Sequence, residues 1–283
     1  MKKITDIKTN IKKEVVFLKN ITSNKQPVIV YQFGKVASSS IHKSLEKANY
    51  LSFQVHFLDS QNIKDYKQKL IKINLPIPNH AIVGSQLSRY LKYLIITNKP
   101  LKIITLIREP IGRNISAFFE GDNFEMFNNY RFDPKKKYDI DCLINNFIKA
   151  SSEDLFPLEC SYFPLKWFDL EMKKALGIDI YQYPFPKEKG ILRVKHNNID
   201  ILILKSKIED SLKEKSIAEF LGVDSFKIIR SNVSDKKKYN RVYQEFTNKI
   251  KLPRDYLEKM CSSKYTKHFY SKDEIDKILA KWS

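Results

Sequence analysis

The sequence predicts an α/β fold: a single domain on a central, mostly parallel sheet flanked by helices, with a helical C-terminal half. Three observations predict it. Through the first half, apolar runs of strand length alternate with helical patterns, as crossover units require. Those runs are continuous rather than alternating, which fits strands covered on both faces. No internal repeat or low-complexity linker interrupts the 283 residues, a length that buries one sizeable core.

The elements follow in order. Residues 1–24 begin basic, and Ile4, Ile7, Ile11, Val15 and Val16 recur at helical spacing with no continuous apolar segment behind them. They read as a basic surface helix, not an export signal, ahead of a domain spanning 25–283. "PVIVYQF" (27–33) is a strand, followed by a helix through about Ala48. "SFQVHFL" (52–58) is a second strand, and helical patterns cover about 61–73 and 86–97. "LKIITLI" (101–107) is a third strand leading into "REPIGRNISAFFEGD", helical after its proline. "FPLKWFDLEMKKALG" (163–177) is a helix with a glycine stop. "GILRV" and "DILILKS" flank "KHNN" as a hairpin or adjacent strands, and Glu209 and Asp210 are placed to cap the helix beginning near Ser211. The remainder reads as helices.

Composition excludes more than it assigns. A hydrophobic fraction of 42% is too high for a disordered chain, and no apolar run approaches membrane-spanning length. Cys142, Cys160 and Cys261 are odd in number and widely spaced, which suits a reducing, cytoplasmic setting rather than a disulfide framework. Five histidines without CxxC or HExxH spacing argue against a metal site. The net charge of +19 calls for a negative partner such as a phosphorylated cofactor, an acidic polymer or an anionic membrane surface. A chain rich in Ile, Lys and Asn throughout explains the same number, because the lysines are scattered, with runs only at Lys135–Lys137 and Lys236–Lys238.

Two strand ends carry the chemistry. In a parallel sheet, ligands bind beyond the carboxyl ends of the strands, where free N–H groups open a helix. Residues 34–40, Gly34, Lys35, Val36, Ala37, Ser38, Ser39 and Ser40, occupy such a place. Gly34 permits a tight turn, Lys35 brings a point charge and the serines bring hydroxyl donors. The nucleotide-binding loop GxxxxGK[ST] is not matched, since only one glycine is present and the lysine comes early. Taken alone, the stretch is equally a capped helix start beside a solvated lysine. At the third strand, Arg108 offers a fork suited to phosphate, and Ser116 lies eight positions later on the next helix.

Together these segments carry a resemblance. "FGKVASSS" resembles the 5′-phosphosulfate-binding loop of sulfotransferases, and "REPIGRNISAF" resembles their 3′-phosphate-binding segment. "DILILKSKIEDSL" is similar to a later strand and turn of the same family. From "WFDLEMKKALGIDIYQYPF" to "SKYTKHFYSKDEIDKILAKW" the chain resembles a sulfotransferase-like branch described as capsular polysaccharide synthesis proteins. The resemblance covers nearly all of the chain beyond about residue 25. Two departures stand out: Gly34 replaces the usual proline before the lysine, and Ala37 and Ser38 replace a glycine or cysteine within the loop.

The resemblance implies a P-loop-like sulfotransferase fold. It implies transfer of a sulfuryl group from 3′-phosphoadenosine 5′-phosphosulfate (PAPS) to a glycan hydroxyl, without a metal. Lys35 would stabilise the bridging oxygen, Ser38 to Ser40 would hold the 5′-phosphate, and Arg108 with Ser116 the 3′-phosphate. The acceptor implied is a surface or capsular polysaccharide. Nucleic acid is not an expected partner, and peripheral contact with the inner membrane face is compatible with the charge.

A base must take the acceptor proton, and a histidine titrating near neutrality suits that task. His56, at the end of the second strand, emerges at the same sheet edge as Lys35 and is preferred as that base over a satisfied strand-end histidine, with Asp59 as the reserve. Arg113 either assists the 3′-phosphate or faces solvent. His268 reads as packing beside Tyr265 and Tyr270, while Trp167, Phe168 and Tyr181 read as core. A non-catalytic polyanion- or nucleotide-binding protein is the alternative reading of the same residues.

Overall fold

The computed structural model describes residues 26–152, 162–230 and 238–283. The N-terminal basic helix expected over 1–24, Cys160, and Lys236 and Lys237 of the basic run lie outside the described residues.

Five strands form one sheet in the order β2-β1-β3-β5-β4: β1 (Val28–Tyr31), β2 (Ser52–Val55), β3 (Leu101–Ile107), β4 (Ile191–His196) and β5 (Ile199–Lys205). The β1–β2, β1–β3 and β3–β5 pairings are parallel, and β4 adds antiparallel to β5 through a hairpin. The expected α/β architecture is therefore present, with both N-terminal strands shorter than their apolar runs. The central strand β3 shows why those runs do not alternate. Ile103, Ile104, Leu106 and Ile107 are all buried, on both sheet faces.

Between the strands lie α1 (Ser38–Lys47), α2 (Ser60–Lys72) and α3 (Asn79–Ile96). After β3 come α4 (Pro110–Phe118), α5 (Gly121–Asn128) and α6 (Ile140–Ser152). The segment expected as one helix over 163–177 is α7 (Phe163–Trp167), a π-helical turn (Phe168–Met172) and α8 (Lys173–Leu176), ended by left-handed Gly177. Beyond β5 follow α9 (Asp210–Leu221), α10 (Asn240–Lys249), α11 (Arg254–Cys261), α12 (Lys264–Phe269) and α13 (Lys272–Trp282).

Of three apolar clusters among the described residues, the smallest packs α2 against α3 around Phe57 and the other two hold these layers. One is the sheet with α1, α3 and the π-helical segment; the other joins α4, α5, α6, α10, α11 and Trp282. The expected cap at α9 is only half right. Glu209 takes the N-cap position without a side-chain cap bond, and Asp210, inside the first turn, pairs with Lys213 and Arg230.

Candidate functional site

The sheet order fixes where a site belongs. From β1 the chain crosses to β2 on one side and later places β3 on the other, so β1 and β3 flank a topological switch point. The loops leaving their carboxyl ends, 34–37 and 108–109, face each other across it.

Backbone geometry builds the first loop. Lys35 and Ala37 take positive φ of 68° and 67°, Val36 between them does not, and Ser38 enters α1. Alternating φ sign turns successive N–H groups toward one concavity, an arrangement that binds anions. Among the described residues, no backbone carbonyl accepts from the N–H of Lys35, Val36 or Ala37. Gly34, expected to make the tight turn, is not the residue in the left-handed region; two non-glycine residues are. Left-handed L-residues cost roughly 1–2 kcal/mol each, so the surroundings must hold them there.

They are held from the second loop. Arg108 Nη1 donates to the Lys35 carbonyl at 2.9 Å, and Arg113 Nε donates to the Gly34 carbonyl at 3.0 Å. Arg113 is fully buried, with its guanidinium 5.9 Å from the Phe33 ring centre. It does not face solvent; the bond to Gly34 gives it a structural role in the loop. Arg108 is itself clamped by fully buried Tyr265 of α12, whose hydroxyl donates to the Arg108 carbonyl (2.9 Å) and accepts from its N–H (3.2 Å). Glu109 caps α4 by accepting from the N–H groups of Ile111 and Gly112. A Cβ at position 112 would stand 2.2 Å from a Glu109 oxygen, which makes that glycine part of the cap.

The side chains gather at the same crevice. Ser38 is not a helix cap; the N-cap position is Ala37, without a side-chain bond. Ser38 Oγ accepts from the amides of Gln32 (2.8 Å) and Gln54 (3.0 Å), so its own hydrogen is left to donate. Ser39 and Ser40 are half-buried on the first turn of α1. Ser116 Oγ lies 3.4 Å from the Tyr243 hydroxyl. One turn beyond Ser116, Glu120 forms an ion pair with the Lys35 ammonium. Sequence reasoning passed over Glu120, Tyr243 and Tyr239. The Tyr239 hydroxyl is pushed upward by burial first and by the Glu120 charge second, with Arg108 opposing, so all three share one neighbourhood.

His56 follows β2, the neighbour of β1 on the side opposite β3. It stacks on His80 with ring centres 4.2 Å apart and lines a cavity of about 740 Å³ along the outer edge of β2. Gln54 lines the same cavity while bonding Ser38, so the cavity adjoins the 34–40 loop. The reserve base Asp59 is engaged as the N-cap of α2, accepting from the Asn62 N–H at 2.9 Å. His268 packs beside Tyr181, Phe185 and Phe269 rather than Tyr265 and Tyr270, and burial holds its ring below the ordinary histidine value. Trp167 and Phe168 are core as expected, whereas Tyr181 is only half-buried.

The group most clearly missed is Glu171, fully buried in the π-helical turn. Its carboxylate accepts from the Leu58 N–H (2.7 Å), the Asp59 N–H (3.1 Å), the Tyr31 hydroxyl (2.7 Å) and the Asn62 amide (2.5 Å). Trp167 Nε1 adds a bond to the His56 carbonyl at 3.0 Å. One helical face therefore grips the whole loop 56–59. A signal was available: Glu171 lies on the stripe of Trp167, Phe168 and Met172, where a solvated carboxylate does not belong. Burial raises its pKa to about 7 against the pull of its four donors.

The folded chain consequently holds this proton more tightly than an unfolded chain titrating near 4.5, and stability falls as pH rises between the two values. We expect Glu171→Gln, which carries no such proton, to gain on the parent by up to about 3 kcal/mol across that window in paired denaturant titrations. A constant difference from pH 4.5 to 7 would contradict this.

Among the described residues, no group of three or more His, Cys, Asp or Glu could hold a metal, and no helix is long and apolar enough to cross a membrane. Comparison with curated proteins and with solved structures found no match. One family does match: residues 163–271 are similar to NKWYS, "Putative capsular polysaccharide synthesis protein". The matched stretch, under half of the chain, holds the Glu171 turn, the β4–β5 hairpin and Tyr265. It leaves out the 34–40 loop, Arg108 and Ser116, so the similarity does not extend to either anion-suited loop.

Proposed function

We propose that this protein is a PAPS-dependent sulfotransferase acting on a carbohydrate hydroxyl in polysaccharide synthesis, in the cytoplasmic compartment. The observation that carries the reading is the meeting of two anion-suited loops at one switch point, joined by the Arg108–Lys35 hydrogen bond. The 34–38 concavity and Ser38 to Ser40 receive the 5′-phosphate, while Arg108 and Ser116 receive the 3′-phosphate. The acceptor oxygen forms a bond to sulfur as the bond from sulfur to the phosphate oxygen breaks. The electron pair stays on that phosphate oxygen beside Lys35, and the acceptor proton passes to His56. A fixed cation at the leaving oxygen acts where charge develops, and needs no metal partner. The family similarity supports the polysaccharide context, and residues 25–283 form the catalytic domain in this reading.

Glu120 gives this reading a further consequence. Its carboxylate neutralises Lys35 when the site holds no anion. The pair is partly exposed, at 27% and 48%, and such pairs contribute about 0.2–1 kcal/mol. Glu120→Gln is therefore expected to tighten nucleotide binding only about 1.5- to 5-fold by calorimetry. Weakened binding would assign Glu120 a positive role in the site.

Transfer of ³⁵S from labelled PAPS to a capsular glycan extract tests the reading. Labelled glycan is expected, with His56→Ala lowering kcat about a hundredfold or more while leaving nucleotide affinity near the parent value. Tight nucleotide binding without transfer to any glycan would favour the non-catalytic alternative.

A further inference from the structure

The cavity along β2 has a composition at odds with the rest of the molecule. The chain carries 51 lysines and arginines, yet among the described residues none lines this space of about 740 Å³. Its walls are the end of α1, the turn after it, the outer edge of β2 and the start of α3. They present Asn49, Gln54 and Asn79, which both donate and accept, with the rings of Tyr50 and Phe53 beside them. Among the described lining residues Glu46 is the one fixed charge; it is negative and lies 3.6 Å from the ring of His42, which stands one turn earlier on α1. The volume lies within the roughly 300–1,000 Å³ of pockets that enclose small organic ligands.

Such walls discriminate by charge. A uronate, a phosphate or an already sulfated sugar entering here meets the Glu46 carboxylate and, among the described residues, no lysine or arginine to compensate its desolvation, only the rings of His42, His56 and His80. A neutral saccharide meets amides matched to its hydroxyls and aromatic faces matched to its C–H surfaces. The cavity opens beside His56 at one end and, through Gln54, touches Ser38 of the 34–40 loop.

We propose that this cavity is the acceptor site and that it takes an uncharged saccharide. The proposal rests on the sulfotransferase reading for its role as acceptor site, but the preference for neutral sugars stands on the lining alone. The net charge of +19 then serves long-range attraction, and local recognition at β2 works without it.

Saturation-transfer NMR on the full chain, with no donor present, tests this with chitotriose, maltotriose and trigalacturonate as probes. The neutral trisaccharides are expected to bind and trigalacturonate to bind at least tenfold more weakly. Asn79 is exposed at the first turn of α3, so Asn79→Trp fills the mouth without touching the core. That variant should weaken the neutral probes at least tenfold while retaining the thermal stabilisation by 3′-phosphoadenosine 5′-phosphate. Glu46→Lys should raise trigalacturonate binding severalfold. Equal or stronger binding of trigalacturonate by the parent, no binding by any probe, or neutral binding unchanged in Asn79→Trp would each overturn the proposal. The two readings fail separately: nucleotide stabilisation without saccharide binding removes the cavity assignment alone. Saccharide binding that responds to Asn79→Trp, without nucleotide stabilisation, removes the sulfuryl donor instead.

Discussion

Lys35→Ala is expected to lower turnover about a hundred- to a thousandfold while leaving the fold intact. Removing one preorganised donor aimed at developing negative charge has that scale of effect in other enzymes, about 2.7–4 kcal/mol in the barrier. Stability should hardly change, for two reasons. The Lys35–Glu120 pair is too exposed to contribute more than about 1 kcal/mol. Alanine at position 35 also inherits the same backbone strain as lysine, so the positive φ is neither relieved nor worsened. Sulfate transfer from PAPS and a thermal melt measure the two halves independently. Turnover near the parent value would remove Lys35 from the reaction.

Arg113→Ala is expected to act the other way, through the fold first. The side chain is wholly buried, and its loss leaves the Gly34 carbonyl without its 3.0 Å donor and a hole beneath Phe33. An unpaired buried acceptor and a void together cost about 3 kcal/mol or more. The 34–37 loop then loses one of the bonds that oppose the strain at Lys35 and Ala37, so nucleotide affinity should fall with stability. Chemical denaturation and calorimetry check this. A variant within about 0.5 kcal/mol of the parent would show that the loop holds its shape unaided.

The contrast between these residues marks what the sequence could disclose. The strands were legible because buried parallel strands require unbroken apolar runs, and "LKIITLI" cannot satisfy any other surrounding so simply. Lys35, the serines and Arg108 were legible as a pattern of donors after two such strands. Three things were not. Backbone sign at Lys35 and Ala37 carries no residue signature, since glycine is the usual occupant and Gly34 drew attention one position early. The roles of Arg113 and Tyr265 depend on partners 79 and 157 positions away, which no local spacing encodes. Glu171 was hidden by a different rule: a carboxylate in an amphipathic helix reads as solvated unless the width of the apolar stripe is counted around it. His56 shows the limit from the other side, because its position at a strand end was right and its surroundings, His80 and the β2 cavity, were not foreseen.

Gly84 belongs with these. A Cβ there would stand 2.5 Å from the Phe57 carbonyl, so α3 approaches the loop carrying His56 only because position 84 has no side chain. The loop is thus gripped by Glu171 and Trp167 on one side and met closely by α3 on the other. In the proposed function this constraint would keep His56 in reach of the acceptor proton.

In the proposed function one nucleotide bridges the two loops, with its 3′-phosphate read by Arg108. Isothermal titration of 3′-phosphoadenosine 5′-phosphate against adenosine 5′-monophosphate, in the parent and in Arg108→Ala, isolates that contact. A charge-assisted bidentate contact should make the bisphosphate at least about tenfold tighter in the parent, and Arg108→Ala should erase the difference. Equal affinity of the two nucleotides for the parent protein would contradict it.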